Sequence, residues 1–282
     1  MRHNSQRHPR DKSHIRLSYV THFYLDQQGT STIMNLLQRY ARYDAKVLDR
    51  IQFVIVDDGS PLEYEIPDLN LNITWLKITD QIPWNQAGAR NLGVVYAKSD
   101  KILLVDIDHE FPEKTLSHMI ARRECGRNAY RIWRSDPHTG KIKKKHPNTY
   151  LLSRARFLRF YGYDEEFSGH YGAEDYRFVK LQKYYGTRFL YLPKRFRCYE
   201  RQDIQWDRNY HSLKRDLSYN TPIDSRKKEE VLLYGPNAGH SRIFLNFKWN
   251  LLEDRYRQVQ VNRRKRPLWK HLWYWRWLVG YR

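Results

Sequence analysis

Acids are scarce in this chain of 282 residues: 31 Asp and Glu stand against 51 Lys and Arg, a formal charge of +20. That balance favours anionic partners such as phosphates, nucleic acid or an acidic membrane surface. Cysteine is nearly absent, with Cys125 and Cys198 alone. Two cysteines exclude a disulfide framework, leave room for a single bridge and fit a reducing compartment. No run of about 18 apolar residues occurs, so no transmembrane helix is expected. Met1 to His14 is polar and basic without an apolar stretch, which does not read as a secretory signal. These absences predict a soluble or peripheral, cytoplasmic protein.

Aromatic residues are plentiful, at 15% of the chain with 22 Tyr and 9 Trp. Their apolar faces and polar tips suit sugar-binding and interface surfaces as well as cores. Charge concentrates at the termini. Residues 1–16 carry a net +4, and residues 262–282 hold seven cations, no acid and four Trp. On a helix, Leu268, Trp269, Leu272, Trp273 and Trp277 of that tail form one face. Indoles with cations favour the headgroup layer of an anionic membrane, and the segment is too short and charged to span one.

Ile15–Tyr24, Ile51–Val56, Asn72–Ile78 and Lys101–Val105 read as strands. Helical patterning runs over Thr30–Val47, Gly88–Ala97, a stretch from Pro112, Ser153–Phe160 and Ala173–Tyr185. Residues 138–150 read as a basic hairpin or mobile loop, residues 201–242 as irregular, and Ile243–Val261 as a long helix. The alternation predicts an α/β fold with a mainly parallel sheet covered by helices. The expected organisation is a flexible basic arm over 1–14, one domain over 15–261 and the basic, Trp-rich tail over 262–282. Ligands of such sheets bind beyond the carboxyl ends of the strands, and two acidic clusters fall there.

Four motifs stand in order: Val56-Asp57-Asp58-Gly59-Ser60, Ala87-Gly88-Ala89-Arg90-Asn91-Leu92-Gly93, Asp106-Ile107-Asp108 and Gly172-Ala173-Glu174-Asp175. A strand-end carboxylate can accept the N3–H of a uracil, although Asp-Asp-Gly also makes a plain turn. An Arg in a Gly-rich helix start can pair with a base carbonyl or a diphosphate. Two acids flanking one residue of an extended segment project to one side. There a hard divalent cation finds oxygen ligands and keeps positions for diphosphate oxygens. An acidic pair at a helix start can supply a general base, or simply suit the helix dipole.

In order and spacing these motifs resemble family 2 glycosyltransferases with the GT-A fold, over roughly residues 15–215. The resemblance implies a Rossmann-like domain that moves a hexose or N-acetylhexosamine from a UDP-sugar to an acceptor hydroxyl, with inversion and with Mn²⁺ or Mg²⁺. It makes Asp175 the base, Glu174 a ligand of acceptor or donor hydroxyls and Tyr171 a stacking partner for the acceptor. It makes Asp57, Asp58, Arg90 and Asp106 donor contacts, and Asp108 the direct metal ligand. Many relatives place Trp-Gly-Gly before the acidic pair, where this chain has Tyr171-Gly172-Ala173. Tyr210-His211-Ser212 is similar to a segment of related galactosyl- and N-acetylhexosaminyltransferases whose His completes the metal shell. His211 is therefore the candidate ligand and His240 its rival, with His22 and His170 behind them. His109 stands next to the acid assigned to the metal.

Expected partners are a UDP-sugar, a glycan or glycolipid acceptor and, through the tail, an anionic membrane. The resemblance further implies bacterial lipopolysaccharide, capsule or other surface polysaccharide synthesis at the cytoplasmic face of the inner membrane. The alternative is a basic nucleic-acid-binding protein without catalytic activity, supported by charge and interleaved aromatics. No RNA- or DNA-binding motif appears and the charge peaks in the termini, so no specific nucleic acid is expected. A dead glycan-binding relative conflicts with the intact Asp106, Asp108 and Asp175. A nucleotidyltransferase would carry a Gly-rich basic phosphate loop after the first strand, which Leu25-Asp-Gln-Gln-Gly-Thr30 does not supply.

Overall fold

A computed structural model describes residues 14–143, 148–208 and 210–259. The tail 262–282 and all of the arm except His14 lie outside the described residues. In chain order the elements are β1 (Leu17–Phe23), α1 (Ser31–Tyr40), α2 (Ala45–Leu48), β2 (Ile51–Asp57), β3 (Ile73–Ile78), α3 (Gln86–Tyr96), β4 (Lys101–Asp106), β5 (His109–Glu110) and α4 (Glu113–Ala121). There follow β6 (Asn128–Arg131), β7 (Arg134–Ser135), β8 (Ile142–Lys143), β9 (Tyr150–Ser153), α5 (Arg154–Arg159) and a 3-10 turn (Glu165–Phe167). The chain continues through α6 (Glu174–Tyr184), β10 (Arg188–Tyr191), β11 (Cys198–Glu200), α7 (Asn220–Tyr234) and β12 (Trp249–Arg255).

The main sheet has the order β10-β6-β9-β4-β1-β2-β3-β12, and a small sheet the order β5-β11-β7-β8. The expected parallel core is β4-β1-β2-β3, while β9 and β12 run antiparallel to their neighbours. Side chains alternate across the pleat. Leu17, Tyr19, Phe53, Ile55, Trp75 and Leu103 pack on one face with Ile33, Leu36 and Leu37 of α1. Val20, Val54, Val56, Leu76, Ile102 and Leu104 pack on the other with Leu92 of α3 and Phe178 of α6. Burial on both faces is why β2 and β4 read as continuous apolar runs. Gly93 lets α3 sit on β1, since a Cβ there would lie 2.5 Å from Val20 Cγ1.

Three expectations differ from the structure. The helical stretch from Thr30 breaks after Tyr40, and Asp44 caps a separate α2 by accepting from Lys46 N at 2.7 Å. The described part of Ile243–Val261, residues 243–259, holds no helix. Its centre is β12, which docks antiparallel on the open edge of β3. The ladder offered by that edge outweighs a local helical pattern. The irregular region 201–242 contains α7, whose buried residues are Asn220, Asp224 and Lys227. Its inner face is polar, with Lys227 Nζ ion-paired to Asp164 at 2.8 Å and to Glu166 at 2.6 Å, so no apolar period marks it. Of the stretch 138–150, Ile142–Lys143 form β8 and pair with β7, which precedes that stretch, and Tyr150 opens β9; residues 144–147 lie outside the described residues. Cys125 and Cys198 are both buried and free, so the possible bridge is not made. No helix among the described residues is long and apolar enough to cross a membrane.

Candidate active site

Parallel register brings the acidic clusters together. Phe23 pairs with Asp57 and His22 with Asp106, so β1, β2 and β4 end at one level. Beyond those ends lies a cleft of about 350 Å³. Its walls include Asp58, Asp106, Asp108, Tyr171, Glu174, Asp175 and His211, all singled out in the sequence. Four distant chain segments thus deliver them to one place.

Two donor-site candidates do not reach the cleft wall. Asp57 is fully buried, accepting from Ser60 N at 2.7 Å and from the Tyr64 hydroxyl at 2.6 Å. It shapes the turn that presents Asp58. Arg90 is 1% exposed and lies behind the cleft. Its guanidinium donates to Asp106, to Asp175 Oδ1 at 3.0 Å and to the Tyr163 hydroxyl at 3.0 Å. It holds two cleft carboxylates in place.

Asp58 is 5% exposed, and its Oδ1 has no hydrogen-bond partner. Burial, and then the neighbouring Asp57, hold its carboxyl well above the usual carboxylate range. A buried acceptor left open at a cleft wall is costly unless a ligand donor meets it. Glu174 and Asp175 open α6 directly after Ala173, whose φ of +78° turns the chain into the helix. Gln86 Nε2 donates to Glu174 at 3.2 Å and approaches both Asp175 oxygens at 3.3 and 3.4 Å. Burial raises both carboxyls. The Asp175 charge adds to the rise at Glu174, whereas Arg90 opposes it at Asp175.

Asp108 Oδ1 is bonded to Nδ1 of His109, whose ring is buried. His211 stands edge-on to Trp84 with centroids 4.9 Å apart, and its Nδ1 has no partner. Burial lowers its pKa, which favours the neutral imidazole, the form that can ligate a metal. Among the described residues no group of three or more His, Cys, Asp or Glu forms a metal cage. Asp108 and His211 on one cleft fit a different arrangement, in which diphosphate and water complete the shell. The other histidines separate cleanly. His240 Nδ1 accepts from Arg242 N at 2.9 Å and lines another groove. His170 stacks on Tyr219 at 4.2 Å. His22 lines the cleft, with its pKa lowered to about 4 by burial and then by the Arg90 charge.

Sequence reasoning missed Trp84, Gln86 and Trp206, and did not place Tyr210 or Arg215 on the cleft wall. Trp84 packs against Tyr171 at 4.8 Å and donates Nε1–H to the Lys214 carbonyl at 3.1 Å. The one available signal was Pro83-Trp84-Asn85 just before the Gly-rich helix start.

No curated protein sequence matches this chain. Among solved structures, residues 1–349 of S. aureus TarS in complex with UDP-GlcNAc superpose with a TM-score of 0.55 at 15% identity, covering 77% of this chain and 67% of that one. A longer S. aureus TarS structure gives 0.52 at 16% identity, covering 77% and 40%. The catalytic domain of Drosophila β1,4-galactosyltransferase 7 with xylobiose gives 0.47 at 12% identity, covering 73% and 79%. The TarS likeness establishes the fold, GT-A. The pattern of Glycosyl transferase family 2 matches residues 32–185, more than half of the chain and the stretch that carries all four motifs up to Asp175. The chain therefore belongs to glycosyl transferase family 2.

Proposed function

We propose that this glycosyltransferase moves a hexose or N-acetylhexosamine from a UDP-sugar to a hydroxyl of an acceptor glycan, with inversion and with Mn²⁺ or Mg²⁺. The observation that carries the reading is the convergence of Asp58, Asp106, Asp108, Asp175 and His211 on one cleft. The UDP-GlcNAc in the TarS structure supports a UDP donor.

Asp175 takes the proton of the acceptor hydroxyl as its oxygen attacks the anomeric carbon, and the bond to the nucleoside diphosphate breaks on the opposite side. Arg90 orients that carboxylate and limits the rise in its pKa. Burial and the Asp175 charge favour neutral Glu174, which then donates to a sugar hydroxyl. Asp58 meets the uracil N3–H, with Asp57 bracing its turn. Tyr171, backed by Trp84, offers a stacking face to the acceptor. Asp108 and His211 would hold the metal, with Asp106 beside them at the ribose. The bound cation would neutralise the departing diphosphate. Synthesis of a bacterial surface polysaccharide, with the tail on an anionic inner-membrane surface, fits the acceptor class and the tail's composition.

Calorimetry with UDP tests the metal: affinity should require Mn²⁺ or Mg²⁺, and equal affinity in EDTA would refute that role. Asp175→Asn should lower kcat by about 10²–10⁴-fold while UDP affinity stays near wild type. The product should have inverted anomeric configuration. Retention would rule out Asp175 as the base of a direct displacement.

A further inference from the structure

The face of the molecule around β10 and the ends of α6 and α7 has a composition that the cleft does not use. From Tyr176 to Tyr199 the chain holds seven cations and no acid, and all but Arg177, which is buried against Asp224, are exposed or half-buried. Across β10 the neighbouring segments add exposed Arg127, beside β6, and Arg159, at the end of α5. They are tied to one surface. Arg188 N bonds to the Arg127 carbonyl, and Arg156 donates to the Tyr185 carbonyl. Phe160 stacks on Tyr185 at 4.3 Å. Burial, and then the nearby Arg159 and Arg127, hold the Arg156 guanidinium below its ordinary value, as crowded cations do.

Beside this band stands an apolar prong. Leu232, Leu233 and Tyr234, the last three residues of α7, are 85%, 72% and 76% exposed. Such consecutive exposure of large apolar side chains at a helix end is unusual for a face that meets only water. A groove of about 420 Å³ joins prong and band, lined by Leu232 and Val231 on one side and by Lys180, Leu181 and Tyr184 on the other. The Tyr185 hydroxyl also bonds Asn237 Oδ1 at 2.6 Å, just past the prong. Acids of α7 are mostly paired, Asp224 with Arg177 and Lys228 and Glu230 with Arg226; Glu229 is the exception among them.

We infer that this face docks on an anionic lipid bilayer, with Leu232, Leu233 and Tyr234 entering the headgroup boundary and Arg127, Arg159 and Arg188 lying on the lipid phosphates. Apolar tips supply a salt-insensitive contribution, and each cation near the surface adds attraction that salt screens. A nucleic acid would meet the cations but would leave the Leu pair exposed. α6 then runs from the membrane face at Lys183 and Tyr184 to the cleft acids at its first turn, about 16 Å away. The inference is independent of the tail and of the donor reading.

Full-length protein should float with phosphatidylcholine vesicles containing phosphatidylglycerol and not with phosphatidylcholine alone. The triple variant Arg127→Glu, Arg159→Glu, Arg188→Glu should bind those vesicles at least tenfold more weakly. Leu232→Ser with Leu233→Ser should weaken binding severalfold and make the remaining binding more sensitive to salt than that of wild type. UDP binding by both variants should equal wild type, which reports an intact fold and tests the donor site separately. Wild-type affinity for vesicles in both variants overturns the inference. So does a wild-type chain that ignores the vesicles while its RNA binding falls in the triple variant.

Discussion

Ala173 carries a side chain where the backbone favours none. Its φ of +78° lies in the region that glycine occupies without strain, and Gly172 before it has φ +99°. This is the position where the family resemblance places a second glycine. Ala173→Gly should therefore stabilise the protein by about 1 kcal/mol, seen as a higher denaturation midpoint with unchanged slope. Loss of stability would mean that the Ala methyl packs more than it strains. At the next residue, burial and the Asp175 charge raise the Glu174 carboxyl. A carboxyl raised in the folded state loses the fold stability as pH climbs above the ordinary glutamate range, because the unfolded chain gives up the proton first. Glu174→Gln removes that loss. Its melting temperature should exceed wild type by about 2–4 °C in alkaline buffer and match it in mild acid. An equal gain at both pH values would assign the effect to packing.

At the scale of elements, α3 is the part on which the cleft depends. Gly93 seats it on β1, and Arg90 on its buried side grips Asp106 and Asp175. Gly93→Ala places a methyl 2.5 Å from Val20 Cγ1, which should cost about 1–3 kcal/mol. Adding Val20→Ala should recover part of it, since the two side chains contend for one space. No recovery in a denaturation series would show that α3 is not held by that contact. The same helix shows how much was legible. Its glycines and Arg90 were visible as a motif, yet Arg90 was assigned to the donor, and only the packing shows it turned inward to two carboxylates. α7 was missed because its buried Asn220, Asp224 and Lys227 carry no apolar signal.

For the whole molecule, charge is the dominant global property, at +20 with seven cations in residues 262–282. Removing residues 262–282 should weaken binding to anionic vesicles, while transfer to a small soluble acceptor and UDP affinity stay unchanged. Added salt should weaken what remains without abolishing it, since buried apolar contacts are not screened. Loss of UDP binding on truncation would instead make the tail a packing element of the catalytic domain.

The sequence by itself determined the parallel core and the location of the chemistry. Apolar runs ending in acids specify strands buried on both faces, and in such sheets the ligand end follows from strand direction. It also named the acids that meet, because each motif sits at an element end that local pattern marks. Tertiary structure alone decided the partners. Asp57 and Asp58 are neighbours of equal chemistry, yet one braces a turn with both oxygens bonded and the other keeps an open acceptor at the cleft wall. His211 was the candidate ligand and His240 its rival, and folding put the first on the cleft and the second against a different groove. The edge of β3 turned a helical pattern into β12. In each case the choice rests on long-range contacts, whose energies exceed the local preferences that a sequence pattern records.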